Sequence, residues 1–243
     1  MASLQSLQQR NIAKKLAVQQ SNVDKDIAIR MHYIGTGTVT SVTVTTATDI
    51  TMITSDGETD AYTWADYATV GELVDAINKD GIFEAKILDG LRSELTAAGR
   101  FVDGAITAAD DGSEMAYDLL FATNGSAVKR MACRISMDRT FGTGAKLLKG
   151  HRVTINEIAT SFTLGDGAEA NAMKIYECKK SDKGESETLL LQRTPVSGSA
   201  VEFDWANGNG GITGNDGSDI VVIVTDSGSF DAAAEMSVSG ILE

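Results

Sequence analysis

The sequence predicts a chain that is part α+β and part all-β: an N-terminal helical arm over residues 1–30, a small mixed α+β domain over 31–149, and a C-terminal antiparallel β-sandwich, jelly-roll-like, over 150–243. Three observations carry this reading. A capped amphipathic helix stands in the middle of β-branched strand sequence near residues 36–88. Seven short strands separated by Gly, Asp, Asn and Ser turns fill the last 95 or so residues, a spacing typical of sandwiches and jelly rolls. The first twenty residues contain good helix formers and neither glycine nor proline.

Residues 3–20 are rich in Leu, Gln, Ala and Lys, and a helix is expected there. Leu4, Leu7, Ile12, Leu16 and Val18 spread over about half of the helical wheel, so this helix must dock on something to be stable. From Thr36 to Thr54 the run TGTVTSVTVTTATDITMIT places Val42, Val44, Ile50 and Met52 between polar neighbours, as in a strand pair. Ser55-Asp56-Gly57 supplies a turn, and Tyr62 and Trp64 fit a further short strand. Thr69-Val70-Gly71-Glu72 fits a capping box, and Val70, Leu73, Val74 and Ile77 then recur at helical spacing, predicting a helix over 70–79. Gly81 is its expected C-cap, and Ile82 to Leu88 reads as a strand.

Residues 103–114 form an acidic, loop-like stretch, and beyond them Met131, Cys133, Ile135 and Met137 alternate with polar or small residues as a half-buried strand. Glycines 142, 144 and 150 mark the expected junction with the sandwich. Its strands are expected at 151–157, 159–164, 172–179, 188–194, 200–205, 219–225 and 236–242.

The 243 residues are 42% hydrophobic and 23% charged, the balance of a globular protein. The longest apolar stretches, such as Ile220 to Val224, are strand-sized, far short of the ~20 residues needed to span a bilayer. No secretory signal is recognised at the N-terminus. The formal charge of −13 opposes nucleic-acid and anionic-membrane partners. It is unevenly spread: Arg10, Lys14, Lys15, Lys25 and Arg30 against Asp24 and Asp26 give residues 1–30 a charge of +3, leaving −16 for the rest.

Motifs for catalysis or metal binding are weak. Cys133 and Cys178 have no ligand spacing and are expected to be free, buried thiols. His32 and His151 lie in no catalytic motif, and there is no nucleophile elbow or zinc-binding helix. Residues 141–147 resemble a phosphate loop only superficially, since Leu147 stands where a hydroxyl should hold magnesium. The Asn, Gly and Asp-rich loop 207–219 offers Asp216 and Asp219 as calcium ligands but fits no established loop spacing, so a hairpin loop is the simpler reading. Trp205, or Trp64 with Tyr67, would suit a glycan if exposed; burial in the core is the alternative. Asn124-Gly125-Ser126 formally fits a glycosylation acceptor but reads as a turn. The expectation is therefore a non-enzymatic protein with no cofactor and no metal.

A polar basic arm (Met1 to Arg30), the helix–strand unit TWADYATVGELVDAINKDGIFEAKIL and the terminal DIVVIVTDSGSFDAAAEMSVSGILE together resemble tailed-bacteriophage virion structural proteins, in particular head auxiliary proteins of the cement or decoration kind. This resemblance implies a virion location on the capsid surface, with assembly in the bacterial cytoplasm. The implied partners are the major capsid protein and copies of the chain itself, as a trimer. Leu4, Leu7, Arg10, Ile12, Lys14, Lys15 and Leu16 of the arm would make the contacts. A tail or head-fibre module binding host-surface glycans is the alternative.

Overall fold

The computed structural model describes residues 14–21, 26–110, 115–122, 129–135, 152–163, 172–181, 184–193, 200–204, 211–226 and 235–242. The described residues build four antiparallel sheets and one helix, arranged as two units with separate cores.

The mixed unit is made from residues 26–122. One sheet has the order β6-β2-β9-β8, from β2 (Ile27–Tyr33), β6 (Phe83–Ile87), β8 (Ala109–Asp110) and β9 (Met115–Leu120). A second sheet runs β5-β4-β3-β7, from β3 (Val39–Thr45), β4 (Asp49–Thr54), β5 (Thr59–Thr63) and β7 (Gly104–Ala105). Helix α1 (Val70–Asp80) packs against β6 and β2. Its capping box forms as its sequence demands: Glu72 N–H donates to the Thr69 hydroxyl, and Thr69 N–H donates back to the Glu72 carboxylate. Gly81 closes the helix in the left-handed region at φ 74°. Val70, Leu73 and Ile77 then lie in the core with Val42, Ile50, Met52, Phe101 and Phe121. Among the described residues no helix is long and apolar enough to cross a membrane.

The second unit is a sandwich. One sheet has the order β1-β17-β11-β14, from β1 (Lys14–Ser21), β11 (Val153–Thr163), β14 (Ala200–Asp204) and β17 (Glu235–Leu242), with the short β15 (Ile212–Thr213) also on β11. The other runs β10-β16-β12-β13, from β10 (Lys129–Ile135), β12 (Ala172–Ser181), β13 (Gly184–Arg193) and β16 (Asp219–Asp226). Both sheets contribute to one core, in which Met131, Cys133, Ile155, Ile158, Ile175, Val222 and Val238 are buried together.

The structure redraws several of the expected segments. Residues 14–21 form strand β1, paired along their length with β17 from Lys14↔Leu242 to Ser21↔Glu235, where a helix over 3–20 was expected. The good helix formers are overridden because an edge of β17 offers eight residues of backbone pairing, and Leu16 and Val18 also satisfy a two-residue period; residues 3–13 lie outside the described set. The break after residue 30 falls inside β2, an inner strand of the mixed unit's sheet. Finally β10 pairs with β16 and so belongs to the sandwich, although it precedes residue 150. By sheet membership the mixed unit is an insertion between the first and second strands of the sandwich. The glycine-rich junction at 142–150 lies outside the described residues. The strands expected at 151–157 and 159–164 are one, β11, whose pairing with β17 shifts register between Ile155 and Glu157.

That shift brings β11 close to Gly240: a Cβ there would sit 2.2 Å from the Thr154 carbonyl oxygen. Gly240→Ala is therefore expected to destabilise the protein by about 1–3 kcal/mol, because the clash is with backbone that cannot turn aside. Urea denaturation checks it; an unchanged midpoint would show that β17 can move away from β11 at no cost.

Candidate functional site: an arginine seam between the two units

Strand alternation divides β10 cleanly. Met131, Cys133 and Ile135 enter the sandwich core, which sends Arg130, Ala132 and Arg134 to the opposite face. That face is not in water. Leu91, in the loop after β6, packs on Ala132, Cys178, Val221 and Ile223, and both arginine side chains are only 2% exposed. The mixed unit thus covers the outer face of the β10-β16-β12-β13 sheet.

Each buried guanidinium is met by groups from the covering unit. Arg130 reaches Asp26 Oδ2 at 2.9 Å and Glu94 Oε1 at 3.1 Å, and donates to the Asp89 carbonyl at 3.1 Å. Its guanidinium carbon also lies 4.0 Å from the centre of the Phe121 ring, a favourable cation–π geometry. Asp26 Oδ2 accepts in addition from Ala132 N–H at 2.8 Å. Arg134 donates to Asp219 Oδ2 at 2.9 Å, to the Gly90 carbonyl at 3.1 Å and to Glu185. At the rim, the Glu187 carboxylate accepts from the backbone N–H groups of Arg92 and Ser93 and from the Ser93 hydroxyl. Strand residues of one unit and loop residues of the other are therefore joined by charge-assisted hydrogen bonds, the stronger kind.

Burial pushes the Asp26 carboxyl up to about 7; Arg130 opposes this, while Asp89 and Glu94 add to it. Burial works against the Arg134 charge, but the carboxylates of Asp219 and Glu185 outweigh it and hold Arg134 above its usual range. Burial also raises the Cys178 thiol despite the nearby Arg134 charge, which disfavours the nucleophilic thiolate. For Asp26 the sign of the linkage is definite. The folded state holds this proton more tightly than an unfolded chain, whose carboxyl titrates near pH 3.8, so its contribution to stability grows as pH falls from about 7 to about 4 and is lost as pH rises through 7. Thermal melts across that range are expected to show this contribution in the parent and not in Asp26→Asn. Parallel profiles for the two would count against it.

The residues singled out from sequence scatter. Leu4, Leu7, Arg10 and Ile12 lie outside the described residues, while Lys14, Lys15 and Leu16 belong to β1. Asp219, a proposed calcium ligand, is instead buried and committed to Arg134. Asp216 is exposed in a turn whose neighbour Asn215 donates through its backbone and its side chain to Glu177. Among the described residues no three His, Cys, Asp or Glu side chains are grouped to hold a metal ion. Trp64 is in the core, its ring 5.0 Å from Phe101 and its indole N–H donating to the Thr46 carbonyl, and so offers no sugar platform. Tyr67 is half-buried against Tyr62. His32 is buried in β2, and both cysteines are buried thiols outside any disulfide. Trp205, His151, the 141–147 loop and Asn124 lie outside the described residues.

The seam itself was not anticipated, although two signals bear on it. Two arginines four apart on a strand share a face, and the unbroken run Ile220 to Val224 is the signature of a strand buried on both sides rather than one. Neither a family model nor a curated protein matches the chain.

Proposed function

We propose that this chain is a non-enzymatic structural protein of a tailed-phage virion, which binds the capsid surface and stabilises it as a cement or decoration protein. The observation that supports the reading best is the connectivity of the sandwich. Counting its eight long strands in chain order, the sheets run first-eighth-third-sixth and second-seventh-fourth-fifth. We read this as a jelly roll, an architecture found in viral capsid proteins as well as in lectins and cupins. The mixed unit adds a second body fastened to one face by buried ion pairs, which suits a part that bears load.

In this reading the adhesive segment is residues 1–13, ahead of β1. Leu4, Leu7 and Ile12 would enter apolar grooves of the major capsid protein, and Arg10 would meet acidic surface. Lys14, Lys15 and Leu16 act within the sandwich edge. Contacts with copies of the chain around a symmetry axis would multiply weak single attachments through effective concentration.

The test is co-sedimentation with phage capsids stripped of auxiliary proteins, comparing the full chain with one lacking residues 1–13. Removing 1–30 would delete β1 and cut into β2, and would report on folding instead. Saturable binding that weakens without residues 1–13 is expected. Absence of binding by the full chain would overturn the proposal and turn attention to glycan recognition.

A further inference from the structure

The seam holds more acid than base around Arg130. Among the described residues, the Asp26 carboxylate is faced by Arg130 from β10 and by Asp89 and Glu94 from the segment after β6, and Glu94 is met in turn by Arg100. Three carboxylates thus share two guanidinium groups, in a space where the Asp26 and Arg130 side chains are only 2% exposed. Like charges crowded together away from water cannot all ionise without cost, and one proton restores the balance. Asp26 is placed to take it. Its backbone belongs to the mixed unit, where its carbonyl accepts from Phe121 N–H at 2.8 Å, while its carboxylate reaches across to Ala132 N–H and Arg130 of the sandwich.

We propose that the seam is a proton-controlled joint: a proton on Asp26 holds the mixed unit against the sandwich, and its loss lets that unit lift off with both bodies still folded. Each body has a core of its own, which separation leaves buried. What separation uncovers is the small apolar cluster of Leu91, Ala132, Cys178, Val221 and Ile223, together with the charged groups, which regain water. The closed form keeps the Asp26 proton up to about pH 7, whereas a solvated carboxyl releases it near 3.8, so opening becomes easier as pH rises from about 4 to about 7 and changes little above that. This inference does not depend on the virion reading. The fold also supplies its own reporters. On opening, Ala132 N–H loses its acceptor and Cys178 its cover, while Cys133 stays inside the sandwich core.

The test is amide hydrogen exchange and thiol labelling by a pyridyl disulfide on the full-length chain, each rate divided by that of the unfolded chain at the same pH. Between about pH 5 and about pH 7.5, protection at Ala132 and Cys178 is expected to fall about tenfold or more. Protection at Cys133 and at Val222, which pairs with both β10 and β12, is expected to hold. Asp26→Asn, which keeps the shape of the side chain but does not titrate, is expected to give a flat profile. Glu94→Gln, which removes a like charge facing Asp26, is expected to move the fall to lower pH, and it keeps the test decisive should Asp26→Asn fold poorly. The proposal is overturned by protection at Ala132 and Cys178 that does not change with pH, by a fall that both variants leave unaltered, or by a parallel fall at Val222 and Cys133, which would mean unfolding of the whole chain rather than opening of the joint.

Discussion

Replacing Arg130 by alanine is expected to destabilise the protein by about 3–5 kcal/mol at about pH 8, the range found when one partner of a buried ion pair is removed. The loss has several parts. Asp26 and Glu94 would lose the cation that faces them inside the seam, the Asp89 carbonyl would lose a donor, and the Phe121 ring would lose the guanidinium above it. Lysine at this position is expected to rescue little, since it cannot span two carboxylates and a carbonyl with one planar fork. The penalty should shrink at mildly acidic pH, where Asp26 takes up a proton and no longer needs the charge. Urea denaturation followed by far-ultraviolet circular dichroism and by tryptophan fluorescence checks this. Parent transitions are expected to coincide and those of Arg130→Ala to separate, because the seam is what couples the two units. A variant whose two probes stay superimposed, with a midpoint near that of the parent, would show that the seam contributes little.

Phe101→Ala is expected to be as damaging, at about 3–5 kcal/mol, for a different reason. The Phe101 ring is buried between two others, tilted against Trp64 at 5.0 Å and stacked on Phe121 at 5.5 Å. Its backbone carbonyl also anchors the Thr46 hydroxyl, and Thr46 in turn accepts the Trp64 indole proton. Truncation would leave a cavity in the core of the mixed unit and loosen the packing around the indole. A lowered melting temperature should therefore accompany a red shift in tryptophan emission. Phe101→Leu, which keeps much of the volume, should recover a large part of both. An unshifted emission spectrum with a full loss of stability would argue that the damage lies elsewhere.

Local sequence chemistry foretold the elements whose signals are local. Thr69, Glu72 and Gly81 delimit α1 because a cap and a left-handed terminator act within a few residues. Val42, Val44, Ile50 and Met52 identify β3 and β4 because that sheet buries the side carrying them. What escaped was set by distant partners. β1 is a strand because β17 stands beside it, and helix propensity in residues 14–21 is worth less than that pairing. The outer face of β10 read as solvated because arginine is rarely buried, yet Arg130 and Arg134 are covered by a loop some forty residues earlier in the chain. Long-range placement of charge has no periodicity of its own, and so the seam could not be found by spacing alone. Asp219 illustrates the cost: in sequence it sits in a plausible ligand loop, and in space it is the counter-ion of Arg134.

The pairing of β1 with β17 has a consequence for the order in which the molecule is made. During synthesis β1 emerges first among the described strands of the sandwich, and its neighbour β17 emerges last of them. The mixed unit, whose two sheets and core close within residues 26–122, is free to form while the ribosome is still adding the sandwich strands. Until β17 arrives, the edge of β1 has no mate in its own chain, and the nascent polypeptide must carry an unsatisfied strand through most of its elongation. Slow completion and sensitivity to holding chaperones are the expected character of such a chain, since contacts between distant segments are costly to close and half-built sheets aggregate through bare edges.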